Sequence, residues 1–248
     1  MENNTDTLSQ EHRRVWQRKP ALRAVYQDLF RRLDDQCADG PVLEVGGGSG
    51  NYKDWNPQAL TIDIQALPWV NVVADAHRLP FSDQSFQSII MLDTLHHLER
   101  PRVFFEDALR VLRPAGRVVL VEPMISPLSY FFYKFFHAEP VDMGEDPLAY
   151  KMPEAGRDPF DSNQAIPTLL FRRGRREFET VFPGFTVRQC RGFSLFAYPL
   201  SGGFQPWSLL PAFLAPGLQR LEKALEGLLA PLIGFRMLVV IEKDKAGL

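Results

Sequence analysis

A chain of 248 residues, 45% hydrophobic and 23% charged, is long enough to bury most of its apolar surface without a disulfide or metal staple. Its two cysteines, Cys37 and Cys190, cannot build a disulfide framework or a CxxC zinc site. With 28 basic against 30 acidic residues and a formal charge of −2, it lacks the basic excess of a general nucleic-acid binder.

The first residues, MENNTDTLSQEHRR, are polar, with no apolar run behind them, so they do not read as a secretory signal and a cytoplasmic protein is expected. Leu22, Val25, Tyr26, Leu29, Phe30 and Leu33 follow helical spacing behind Pro20 and predict an amphipathic helix. After Asp39-Gly40-Pro41 the pattern changes to short apolar runs at Val42–Val45, Leu60–Ile62, Val70–Ala74, Ser88–Leu92 and Arg117–Val121. Between the last two, Phe105, Ala108, Leu109 and Leu112 form a helical stripe, opened by Pro101 and closed by Arg113-Pro114-Ala115-Gly116. Alternating strands and helices predict an α/β domain with a parallel sheet covered on both faces. Further on, Phe185–Cys190 and Arg236–Ile241 read as strands, and Leu218, Leu221, Leu225, Leu228 and Leu229 as a helix. The 28 uncharged residues from Gly192 to Gln219 are long enough to span a bilayer, but four prolines together with Gly202, Gly203 and Gly217 exclude a membrane helix.

The informative stretch is Val42 to Asn51, VLEVGGGSGN. Glycines belong where a strand turns sharply and a ligand approaches the backbone closely. A dinucleotide fingerprint GxGxxG would need glycine at 51, where Asn51 stands. The pattern Glu44-x-Gly46-x-Gly48-x-Gly50 instead resembles motif I of the class I S-adenosylmethionine (SAM) dependent methyltransferases. Asp63-Ile64 at the end of the second strand, Asp75-Ala76 after the third, LPFSDQSFQSIIMLDTLHHL over residues 79–98 and LRPAGRVVLVEP over 112–123 match the family in order. The resemblance covers roughly residues 41–123.

It implies a Rossmann-like, doubly wound seven-stranded sheet of order 3-2-1-4-5-7-6, the last strand antiparallel, with a helical, aromatic-rich lid. The implied organisation is one domain over 1–248: an N-terminal helical cap (1–40), a SAM-binding core (41–123), a lid insertion that binds the acceptor (124–184), and C-terminal strands, apolar loop and helix (185–248). It also implies SAM as cofactor, with S-adenosylhomocysteine as product, held by Glu44, Gly46, Gly48, Gly50, Asp63, Ile64, Asp75, Ala76 and Leu92. Asp63 would accept from the ribose hydroxyls, and Asp75 with the Ala76 N–H would meet adenine. Three strand-end carboxylates suit a ligand rich in donors better than a pyrophosphate. Only 14 residues, Gly46 to Ala59, separate the first two strands, so the first crossover helix must be one or two turns. Tyr52 either helps at the methionine end or only packs.

Methyl transfer is an in-line displacement, and a base is needed only where the acceptor loses a proton. His96 and His97 follow the fourth strand, and His137 lies beside Glu139 and Asp142. His137 is narrowly preferred as base, with His97 the other choice; no metal is expected. Met124–Phe213 holds 18 of the 29 aromatic residues, including the run Tyr130–Phe136, which is apolar around nearly every helical face and so implies burial or an interaction surface. The expected acceptor is a hydrophobic or aromatic small molecule. A saccharide or polar anionic metabolite is the alternative, with Arg172–Arg176 as anion site, and a non-catalytic partner in a biosynthetic complex is the alternative of another class. No nucleic-acid partner is expected, contact with a membrane surface or carrier protein stays open, and the sequence gives no oligomeric state.

Overall fold

The computed structural model describes residues 4–137, 139–154, 156–158 and 160–245. Two helices, α1 (Asn4–Arg18) and α2 (Pro20–Asp34), precede strand β1 (Val42–Val45). Then follow α3 (Asn51–Trp55), β2 (Leu60–Asp63), β3 (Val72–Val73), β4 (Phe86–Leu92), α4 (Pro101–Val111) and β5 (Leu112–Pro123). The remaining elements are α5 (Pro127–Phe136), α6 (Ile166–Thr168), α7 (Arg175–Val181), β6 (Phe185–Phe193), α8 (Ala197–Ser201), α9 (Ala215–Ile233) and β7 (Arg236–Lys243).

The seven strands form one sheet of order β3-β2-β1-β4-β5-β7-β6, the order the sequence resemblance implied. β1 to β5 pair in parallel, and β7 runs antiparallel to both β5 and β6. Side chains alternate across the sheet, as the two-residue period of a strand requires. Ile89, Met91, Val118, Leu120 and Val239 face a core shared with Phe105, Phe178 and Phe185. Ile90, Val119, Val121, Leu238 and Val240 face the other way, onto Leu22, Tyr26, Leu29 and Phe30 of α2. Both faces are covered, which is why the central strands read as continuous apolar runs.

Three elements depart from the sequence expectation. α1 precedes the predicted amphipathic helix, and its Val15 and Trp16 pack against the α2 side of the core. The third strand shrinks from Val70–Ala74 to two residues, paired through Ile62↔Val72 and Asp63↔Val73, because a turn from Leu67 to Val70 diverts the chain before it reaches the sheet edge. The fifth strand extends back through Arg113–Gly116, which the sequence assigned to the turn that ends α4. The crossover α3 is five residues long, in keeping with the short β1–β2 connection. No helix among the described residues is long and apolar enough to cross a membrane.

Candidate active site

In a parallel sheet of this kind, ligands bind beyond the carboxyl ends of the strands where the strand order reverses, here between β1 and β4. Just beyond β1, the Gly46 and Gly47 N–H groups donate to the Ile62 carbonyl at 2.9 and 3.1 Å, bending the chain across the end of β2. Gly46 has φ of +81°, and a Cβ there would lie 2.3 Å from Thr94 Oγ1, so only glycine fits. Gly48 faces open space instead: a Cβ there would meet nothing nearer than the Gly46 carbonyl at 4.0 Å. Asp63 accepts from the Gly48 N–H and the Gln65 N–H, both at 2.9 Å. Each of its oxygens keeps a second lone pair for a ligand. Glu44 lies below the loop and accepts from Thr61 Oγ1 at 2.7 Å. Burial raises its pKa to about 8, against the opposing pull of the Thr61 hydrogen bond, so at neutral pH it is mostly protonated and serves as the loop's foundation.

Ile64 is exposed directly after Asp63, and Leu92 at the end of β4 is half-buried. Asp75 also lies at this edge, where its Oδ1 accepts from the His77 N–H at 2.9 Å and contacts His77 Nδ1 at 2.6 Å. Ala76 packs against the core beneath. Tyr52 is buried, and its hydroxyl donates to Asp34 Oδ1 at 2.6 Å, so it ties α3 to α2. The loop has a roof that sequence reasoning missed. Trp69 lies across Gly50 and donates from Nε1 to the Gly48 carbonyl at 2.9 Å. Arg13 of α1 stacks on that ring at 4.5 Å and donates to the Ser49 carbonyl at 2.8 Å.

Next to the loop, beyond β4, β5 and β7, lies a second and more polar cluster. Glu122, fully buried at the end of β5, accepts from the Thr94 and Leu95 N–H groups, both at 2.8 Å, and from His96 Nδ1 at 2.7 Å. The other nitrogen of His96 is 3.3 Å from Glu139 Oε2. Carboxylates only accept, so a doubly protonated ring satisfies both. Burial alone would lower the pKa of His96, but its hydrogen bonds to Glu122 and Glu139 outweigh that and hold it well above the imidazole range. Glu139 is correspondingly held well below the carboxylate range despite its burial.

His97 behaves oppositely. Burial and the neighbouring His96 cation lower its pKa to about 4, and its Nδ1 is buried without a hydrogen-bond partner. The ring is neutral at physiological pH and has a lone pair available. Nitrogen and oxygen atoms of His96, His97 and Glu139 all lie within 4.8 Å of one another. The lid closes over them: the Asn163 N–H donates to the His96 carbonyl at 2.9 Å, and Gln164 Nε2 donates to Glu139 Oε2. Gln164 Oε1 and Ser162 Oγ are buried and unpartnered. A cavity of about 570 Å³ opens beside Glu139, bounded by Leu8, Asp142, Arg157, Phe160, Asp161 and Ile166 among others.

His137 caps the end of α5 in an exposed position, and its Nδ1 accepts from the Glu139 N–H at 3.2 Å. Burial of its surroundings lowers its pKa. His12 of α1 stacks on Phe204 with ring centres 4.4 Å apart, and its pKa is lowered by burial, with Glu139 opposing. The cluster is backed by Asp93, which follows β4 with φ of +54° and pairs with the buried Arg236 of β7. An aspartate in left-handed backbone costs about 1–3 kcal/mol, strain that persists only where surrounding structure over-determines it. The sequence singled out His97, His137 and Glu139; it assigned no role to Glu122 or Asp93, which lie within the matched segments 112–123 and 79–98, or to Arg236, which opens the last strand.

Residues 43–120 match the family described as a methyltransferase domain. Among curated proteins, the chain is 25% identical over 182 residues to the demethylmenaquinone methyltransferase of Streptomyces griseus, covering 68% of this chain and 78% of that protein. It is 40% identical over 135 residues to the demethylmenaquinone methyltransferase of Clavibacter sepedonicus, covering 51% of this chain and 55% of that one. Among solved structures, a SAM-dependent methyltransferase from Archaeoglobus fulgidus superposes with a TM-score of 0.52 at 15% identity, over 90% of this chain and 94% of that one, which establishes a shared fold. The residues at the loop are compatible with SAM: a ribose diol would find open space at Gly48 and free lone pairs on Asp63, and a base would find an apolar surface at the exposed Ile64.

Proposed function

We propose that the chain, a class I SAM-dependent methyltransferase, methylates a small, predominantly apolar acceptor at an atom that loses its proton to His97. The observation that carries this reading is the buried, unpartnered Nδ1 of a neutral His97 beside Glu139. When bound, SAM supplies a methyl carbon already activated by its sulfonium. Gly46, Gly48 and Gly50 would let it approach the backbone, Glu44 would support that loop, and Asp63 would accept from the ribose diol. Ile64, Leu92 and the Asp75-Ala76 edge would border the adenine.

The protein's own residues then align the acceptor and remove its proton. Glu122 holds His96 protonated, and His96 holds Glu139 as an anion against the cavity. Glu139 would orient an acceptor hydroxyl, and His97 would take the proton as the methyl group transfers. His137, whose Nδ1 is already engaged by the backbone, is the weaker choice of base. The apolar character of the acceptor rests on Leu8, Phe160 and Ile166 at the cavity and on relatives named for demethylmenaquinone, an apolar compound.

The cavity also favours a second reading. Asp142, Glu145 and Asp161 line it with Arg157, a set able to accept from several hydroxyls of a neutral saccharide. The same carboxylates disfavour an anionic metabolite. Incubation with methyl-labelled SAM and cell extract, followed by partition of the labelled product, separates the two. Label in the organic phase supports the apolar acceptor, and label confined to the aqueous phase supports the saccharide. Absence of any labelled small molecule refutes both.

A further inference from the structure

Helix α9 turns two carboxylates inward and three leucines outward, with Leu218, Leu225 and Leu229 half-buried between them. Its buried positions include Glu222 and Glu226, whereas Leu221, Leu228 and Leu232 are 57%, 76% and 58% exposed. At 100° per residue these three leucines lie within about 20° of one line along the helix. The inversion is anchored. Glu226 takes a two-pronged hydrogen bond from Arg32 of α2 at 2.7 and 3.1 Å, and Glu222 accepts from the Phe196 and Ala197 N–H groups that begin α8. With both carboxylates tied to the body of the protein, the leucines have no rotation that would bury them.

The neighbouring helix shows the same habit. α5 packs against α9 and exposes Leu128, Phe131 and Phe135 at i, i+3 and i+7, with Phe136 beside them at 73% exposure. The charges on this surface have one sign. Between Gly192 and Phe235 the acidic residues are Glu222 and Glu226, both buried, and the basic ones are Arg220 and Lys223, both exposed. α5 adds the exposed Lys134. Among the described residues, the charges that α5 and α9 present to solvent are therefore all cationic, on a chain whose overall charge is negative.

We propose that the exposed face of α5 and α9 is a docking surface for an anionic lipid bilayer, lying in the headgroup region with the leucines and phenylalanines directed into the acyl boundary. Interfacial helices combine an apolar stripe with lysine and arginine on the rest of the exposed face, and here Arg220 and Lys223 stand about 100° and 160° round α9 from the leucine line. Charge decides the occupant. A partner protein with a neutral apolar face would have no need of a surface cleared of carboxylates, whereas an anionic leaflet attracts each cation and repels each exposed acid. Docking on this face is independent of the acceptor's identity.

Flotation of the full chain with vesicles of phosphatidylcholine alone, and of phosphatidylcholine with about one third phosphatidylglycerol, tests the proposal. The expected result is flotation with the anionic vesicles, weakened by salt, and little with the neutral ones. Phe131→Ser with Leu228→Ser should reduce it at least tenfold. Arg220→Glu with Lys223→Glu should reduce it by about fivefold or more per reversed charge. These positions are exposed, so unchanged SAM affinity and thermal midpoint would show that the variants still fold. Failure to float with anionic vesicles, equal flotation with neutral ones, or flotation untouched by both variants overturns the proposal. So does a dimer in sedimentation velocity that Phe131→Ser with Leu228→Ser dissociates while no lipid is bound, since that assigns the face to a second copy.

Discussion

Helices α2 and α9 pack against one another, yet they distribute their side chains in opposite ways. α2 buries Leu22, Val25, Tyr26, Leu29, Phe30 and Leu33, and Arg32 is the one charged side chain it fully buries. α9 fully buries Glu222, Glu226 and two alanines, half-buries Leu218, Leu225 and Leu229, and leaves Leu221, Leu228 and Leu232 outside. Their meeting point, Arg32 with Glu226, is the contact at which one helix's apolar face accommodates the other's polar one. Apolar periodicity alone therefore identifies a helix without saying which side of it is the inside. The same contrast divides the site. The glycine loop draws its partners mostly from Ile62, Asp63 and Trp69 a short way along the chain, with Arg13 on Ser49, whereas the histidine cluster gathers its members from the ends of β4 and β5, the lid and β7, and leaves several of them unsatisfied.

The largest expected effect falls on the cluster. His97→Gln should lower kcat by about a hundredfold or more, the usual range for loss of a general base, with the SAM dissociation constant from calorimetry unchanged. A loss of SAM affinity equal to the loss of rate would mean that His97 belongs to the loop's machinery and that the two halves are not separable. Because the His97 pKa is lowered to about 4, its neutral form persists throughout the physiological range. The rate should fall only as the pH approaches that value.

The two helices are distinguished by stability. Glu226→Ala leaves the buried Arg32 guanidinium without its bidentate partner and with only Asp28, on its Nε at 2.6 Å. The cost should be about 1–3 kcal/mol, the range for a buried polar group left unpaired, below the roughly 3–5 kcal/mol of a wholly orphaned charge. Leu228→Ser, on the exposed stripe, should stay within about 0.5 kcal/mol of the parent. Urea midpoints for both variants check this, and a large cost at Leu228 would mean that its stripe is covered in the isolated protein. pH adds a further handle on the cluster. His96 has its folded-state pKa raised, so its ion pairs contribute fully below the ordinary imidazole value. That contribution declines as the pH rises through the folded value. Thermal midpoints should fall from pH 7 to pH 9, and His96→Gln should flatten the slope.

What was legible in the sequence follows this division. The motif from Glu44 to Gly50, the carboxylate at Asp63 and the central strands could be read because their chemistry is local: each carries its meaning within a few neighbouring residues. The short α3 followed from counting the 14 residues between β1 and β2. Glu122 looked like the end of an apolar strand, and nothing near it in sequence announced that it would hold His96 from 26 positions away. Asp93 and Arg236 are 143 positions apart and join only because β7 inserts between β5 and β6. α1 escaped notice because its apolar attachment is confined to Val15 and Trp16 near its end, while Ser9, His12 and Arg13 attach it through polar and stacking contacts. The aromatic run Tyr130–Phe136 was read as either buried or an interaction surface, and the structure divides it. Tyr133 is buried and donates to the Phe235 carbonyl at 2.9 Å, whereas Phe131, Phe135 and Phe136 are exposed.

A smaller effect is expected at the loop. Asp63→Ala removes an acceptor that charge-assists each hydrogen bond it receives by about 1.5–3 kcal/mol, so SAM affinity should fall about tenfold or more. Part of that loss would come from freeing the Gly48 N–H. Asp63→Asn separates the two parts: it keeps an oxygen for the loop but loses the charge, and should recover some of the affinity. If both substitutions left SAM binding unchanged, the ribose would have to be held elsewhere, and the comparison of a self-contained loop with a dispersed cluster would lose its first term.

The smallest effect concerns the roof, where the two regions touch. Arg13 and His12 are adjacent on α1, one stacked over the glycine loop and the other on Phe204 near Glu139. Arg13→Ala removes a cation–π contact with Trp69 worth about 0.5–1 kcal/mol and a hydrogen bond to the Ser49 carbonyl. The expected loss of SAM affinity is about two- to fivefold, seen as a faster off-rate because a roof retains a ligand rather than attracting it. His12→Ala should leave that off-rate alone and act on the acceptor's KM. If instead either substitution shifted both constants together, α1 would move as one lid over both ligands, and the loop and the cluster would be coupled through it.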